Sequence, residues 1–184
     1  MKIIRCFSLV LLLVATVAAQ QSSPDNKSSN PVTDAVRGMI DRNEKNLTAA
    51  VNAMPAEKYS YKPTPEQMTF GHLVTHIAEA NNFLCAKLSG QAAPKENAKE
   101  TDPKDKLESE VKASFDYCRS VLKNVNDSQL GESITLFGGH PATKASALIG
   151  LASTWADHYG AAAMYLRLNG VLPPTAKKAE PEKK

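Results

Sequence analysis

Apolar side chains recur at helical spacing in four separate stretches of the chain. The first holds Val36, Ile40, Leu47, Val51 and Met54, at steps of three, four or seven. Asn30 and Pro31 precede it as N-cap and first helical residue, and Pro55 ends it. The second stripe, Phe70, Leu73, Ile77, Leu84 and Leu88, starts near Thr69 and stops at Gly90. In the third, Leu107, Val111, Phe115, Cys118, Leu122 and Val125 alternate by threes and fours. The fourth runs from about Lys144 to Asn169, with Leu148, Leu151, Trp155, His158, Ala162 and Leu166 inward. Gly170 and Pro173-Pro174 end it.

The connections differ in character. PAEKYSYKPTPEQ, with its prolines and two tyrosines, reads as an ordered coil, whereas QAAPKENAKETDPKDK is polar throughout and reads as a long crossover. Ile134-Thr135-Leu136-Phe137, just before Gly138-Gly139, reads as a short extended piece from which no sheet is expected. Four amphipathic helices with one long connection predict an all-α four-helix bundle over residues 30–174, with the crossover between helices two and three.

The ends change the picture. Residues 1–19 carry Lys2 and Arg5, an apolar run and small residues ending at Val17-Ala18-Ala19, the layout of a secretory signal peptide. Residues 20–29 read as a flexible leader and 175–184 as a disordered charged tail. The expectation is an exported protein, periplasmic or secreted, with no membrane attachment after cleavage. The formal charge of +3 falls to +1 without Lys2 and Arg5, too little basic surplus for a nucleic-acid partner. Export leaves Cys85 and Cys118, which are either a disulfide or two small buried residues on separate helices.

Bundles build sites from side chains on facing helices. His158 lies within the fourth apolar stripe and His76 beside the second, so two imidazoles meet in the core if those helices face each other. A divalent cation is one physical reason for such a meeting, and hydrogen-bonded packing is another. His72 and His76 form H-x-x-x-H, but Leu73 follows His72 where a zinc protease motif needs Glu. No G-x-S-x-G elbow or glycine-rich phosphate loop is present, and His140 reads as an exposed loop histidine.

MTFGHLVTHIAEANNFLC, followed much later by DHYGAAAMYLRLNGVLPP, resembles the DinB-like family, damage-inducible bundles related to the YfiT-type metalloproteins. The resemblance runs from helix one to Pro174. It implies a bundle, frequently dimeric, with a divalent metal such as Zn, Ni, Fe or Mn held by three histidines, one on helix two and two on helix four. Carried onto this chain, these fall on His76, Thr154 and His158. Threonine at the middle position is a poor ligand beside imidazole, so the triad is incomplete and metal binding is expected to be weak or absent. Asp157, Glu79 and His72 are the candidates for a third ligand, although Asp157 lies about 100° around the helix from His158. The family's usual Gln is Ala161 here. Two functions follow: a divalent-metal-dependent enzyme of hydrolase or thiol-dependent transferase type with a variant site, and a non-catalytic bundle, structural or binding an unknown small molecule, whose metal site has degenerated.

Overall fold

The computed structural model describes residues 27–176; the expected signal peptide, residues 20–26 of the leader and residues 177–184 of the tail lie outside the described residues. Four helices carry the fold: α1 (Pro31–Ala53), α2 (Phe70–Ser89), α3 (Lys104–Leu122) and α4 (Lys144–Leu168). This is the all-α bundle expected from the apolar period. α2 packs against α3 and α4, and α1 packs against the same two. Asn81 bonds Ser114, and Cys85 bonds Cys118, so α2 and α3 run parallel, which is what the long crossover makes room for. α4 returns antiparallel along α2, with Trp155 opposite Asn81 and His158 opposite His76.

The helix starts differ in how their free N–H groups are met. Thr69 caps α2, accepting from the backbone N–H of His72 at 2.9 Å, and Gly90 closes the helix at φ 72°. Asn30 stands at the N-cap of α1 but its side chain caps nothing there. Its Oδ1 accepts from the N–H of Asp127 at 2.9 Å, while the Asp127 carboxylate accepts from the N–H groups of Val32 and Thr33 at 2.9 and 2.8 Å. The cap comes from a residue far along the chain, which a local pattern does not reveal.

Residues Ser133–Thr135 (β1) and Pro141–Thr143 (β2) pair as an antiparallel hairpin, Ile134 opposite Ala142, where no sheet was expected. Gly138 and Gly139, at φ 67° and 80°, supply the turn that lets the two short arms pair. At the other end of α4, Thr175 and Ala176 belong to a 3-10 turn, Pro174–Ala176, held by the Tyr159 hydroxyl at 2.7 Å from Thr175 Oγ1.

The core lies between all four helices, with Trp155, Phe70, Phe115, Leu47 and Leu151 fully buried. One polar chain crosses it: Trp155 Nε1 donates to Asn81 Oδ1 at 2.8 Å and Asn81 Nδ2 donates to Ser114 Oγ at 3.0 Å. Each buried polar atom in that chain is thereby answered. Cys85 and Cys118, buried one turn further on, form a disulfide with alpha carbons 5.4 Å apart. The prolines and tyrosines of the first connection make an ordered coil, in which Tyr59 is buried and donates its hydroxyl to the Val51 carbonyl at 2.9 Å.

Candidate functional site

The antiparallel pairing of α2 and α4 brings His76 and His158 edge to face, ring centroids 5.1 Å apart and planes at 69°. They differ in exposure. His158 is 9% exposed, while the His76 side chain is 45% exposed. Together they form one wall of a cleft of about 410 Å³, closed by Leu73, Ala161 and Tyr165 and by Glu66 to Met68 of the coil before α2. Tyr165 donates its hydroxyl to the Met68 carbonyl at 2.7 Å, which fixes the coil against α4 and gives the cleft its third side.

Electrostatics separates the two imidazoles. Burial pushes His158 down to a pKa of about 4, the neighbouring His76 pushes the same way, and Asp157 only partly opposes them. His158 is therefore unprotonated at neutral pH and offers one acceptor and one donor nitrogen. His76 Nδ1 lies 3.7 Å from Glu79 Oε2, one turn along α2 and also half-exposed.

The other residues named from the sequence are placed as follows. His72 turns to Glu100 of the crossover, Nδ1 to Oε2 3.3 Å, so the two imidazoles of H-x-x-x-H face different carboxylates. Thr154 donates its hydroxyl to the Leu151 carbonyl at 3.0 Å, within its own helix. Asp157 is exposed at the cleft mouth. His140 is exposed on the hairpin, about 20 Å of helix away from His158. Cys85 and Cys118 are bonded to each other between α2 and α3, away from the cleft. Tyr165 and Met68 were not singled out by sequence; Tyr165, seven residues after His158 and so on the same helix face, carried a signal that could have found it.

These residues do not fit a three-ligand metal. Among the described residues no three His, Cys, Asp or Glu side chains converge on one point, and the hydroxyl at the third position is spent on its own backbone. The arrangement can hold hydrogen-bonding groups of a small molecule against a neutral imidazole, with a second imidazole beside it.

Solved structures share this architecture. A DinB-like protein from Bacillus subtilis superposes with a TM-score of 0.63 at 22% identity, covering 79% of this chain and 99% of that one. A DinB-like protein from Bacillus cereus ATCC 10987 superposes with a TM-score of 0.65 at 15% identity, covering 77% and 95%. A mycothiol-dependent maleylpyruvate isomerase is more distant, with a TM-score of 0.53 at 12% identity over 68% of this chain and 59% of its own. No curated protein matches the chain. The DinB superfamily matches residues 39–162, more than half of the sequence and the stretch that carries both histidines of the cleft, and the chain belongs to that superfamily.

Proposed function

We propose that the protein is an exported DinB-superfamily bundle that binds a small molecule in the α2–α4 cleft without a resident metal. The observation that carries this reading is the pair His76–His158 at the cleft wall, with Thr154 bonded to Leu151 where a third ligand would have to stand. A buried neutral imidazole beside an exposed one suits a ligand with a hydroxyl, thiol or amide, since it both donates and accepts. Export is supported by the signal-like residues 1–19 and by the Cys85–Cys118 disulfide, a bond that persists in oxidising compartments.

A metal-dependent enzyme is the second reading, and the 5.1 Å between the two rings favours it, because imidazoles that close are able to share a cation. Calorimetric titration of the untagged protein with Zn, Ni, Mn and Fe(II) separates the two. Weak or substoichiometric binding is the expected result. Thr154→His, which places a third imidazole one turn before His158, should then convert weak into tight one-to-one binding. Tight one-to-one binding by the unaltered protein, lost in both His76→Ala and His158→Ala, would replace the proposed function with the metal enzyme.

A further inference from the structure

At the hairpin end of the bundle a second cleft opens, of about 500 Å³, between the ends of α2 and α3 and the start of α4. Lys144 is on its wall, 14 residues before His158 and so about 21 Å from it along α4. The two clefts share no residue.

Lys144 stands where a cation is poorly placed. It is the first residue of α4, at the end of the helix dipole that favours an anion, and it is 9% exposed. A buried ammonium needs its charge answered. Glu132 Oε2, at 2.8 Å, takes one of its three protons, but the Glu132 side chain is itself 53% exposed and shared with solvent. A second anion on the cleft side gives the lysine a reason to be there.

The rest of the lining is rich in hydroxyls and amides with bonds to spare. Asn124 Nδ2 donates to the Ser120 carbonyl at 3.2 Å, which leaves its Oδ1 without a partner among the described residues. Gln129 Oε1 accepts from the N–H of Asn126 at 3.0 Å, which leaves its Nε2 in the same position. The Tyr117 hydroxyl stands 3.5 Å from Ser89 Oγ, the outer limit of a hydrogen bond. Beneath them Leu88 and Val121 make a small apolar floor.

One ammonium, several neutral donors and acceptors and a narrow apolar floor match a ligand that carries one carboxylate and several hydroxyls. We propose that this cleft binds a sugar acid, its carboxylate on Lys144 and its hydroxyls on Tyr117, Asn124 and Gln129. A fatty acid suits it less, because its chain would strip water from these polar groups and return no hydrogen bond. A phosphate ester, with close to two negative charges, would meet a single ammonium already shared with Glu132. The proposal is independent of what occupies the histidine cleft at the other end of the bundle.

Amide NMR spectra of the purified protein, titrated with glucuronate and with gluconate, test this. Saturable shifts are expected at Ser120, Asn124, Gln129 and Lys144, with His76 and His158 unmoved. Glucose, which has the hydroxyls without the carboxylate, should bind about tenfold more weakly or worse. Lys144→Met, which keeps the length of the side chain, should weaken sugar-acid binding by about tenfold or more. Glu132→Gln breaks the same ion pair but keeps the ammonium, and it should bind as tightly as the unaltered protein or more tightly. Tyr117→Phe should weaken binding about threefold. No saturable shift with either sugar acid overturns the proposal. So do shifts centred on the histidine cleft, octanoate binding more tightly than both sugar acids, or equal losses in Lys144→Met and Glu132→Gln, which would mean that the lysine serves only to pin the hairpin to α4.

Discussion

His158 is neutral in the folded protein because burial withholds water from its charged form and His76 stands against it. That has a definite sign for stability. The unfolded chain takes up the proton near pH 6.5, and the folded chain resists until about pH 4, so acidification between those values favours unfolding. Above pH 6.5 the residue imposes no such cost; the loss grows on the way down and reaches at most about 3 kcal/mol. We expect His158→Phe to melt near the unaltered protein at neutral pH and to show a flatter fall in melting temperature from pH 6.5 to 4. Parallel curves for the two proteins over that window would contradict the assignment. The histidine was legible in the sequence because it sits inside an apolar stripe, and His76 because its stripe faces the same way. The fate of Thr154 was half legible: the resemblance sets it where a third ligand is expected, but only the fold shows its hydroxyl bonded to Leu151. His72 was misleading for a different reason. Its partner, Glu100, lies in a polar crossover with no period to place it.

Helices were the readable elements, since each carries its own period, and their starts were less so. The α1 start looks self-sufficient as Asn-Pro, yet the carboxylate that serves it is Asp127, whose pKa burial raises and the bonds from Thr33 and Val32 lower further than that. Such caps depend on which loop the finished bundle brings near. Gly71 makes the same point inside α2. Its N–H donates to the Tyr59 carbonyl at 2.8 Å, and a Cβ there would collide with the backbone carbonyl of Glu100. The glycine is the place where the crossover docks on α2, one turn before His76. Gly71→Ala should therefore destabilise by about 1–3 kcal/mol, because a backbone must move to admit the methyl group. Gly38→Ala, where a Cβ meets nothing, should stabilise by up to about 1 kcal/mol. Urea unfolding of both variants checks the pair, and stabilisation by Gly71→Ala as well as by Gly38→Ala would show that the crossover yields freely.

At the scale of the whole molecule, the bundle's weak point is topological. α2 and α3 lie side by side and parallel, but the chain between them, residues 90–103, contains no helix or strand and contributes only Ala98 as a partly buried apolar contact to the core. The other two connections, residues 54–69 and 123–143, each carry local secondary structure that fixes their path; this one lacks it. Two cross-links stand in its place, the Asn81–Ser114 hydrogen bond and, one turn on, the Cys85–Cys118 disulfide with a sequence separation of 33. The stripes alone made the bundle legible, and they also left the cysteines open between a bridge and two packed thiols, because spacing along two helices does not fix their relative height. A bond closing a loop of that length restricts the unfolded chain by about 3–4 kcal/mol, which is a large part of a small domain's stability. Reduction should accordingly lower the melting temperature, and Cys85→Ser with Cys118→Ser should lower it by the same amount and become insensitive to reductant. Loss of stability in the double variant with no effect of reductant on the parent would mean that the serines disturb packing and that the bridge contributes little. With the parent responding and the variant not, the disulfide does for α2 and α3 what locally ordered connections do for the other helices, and the stability of the bundle depends on that bond being oxidised.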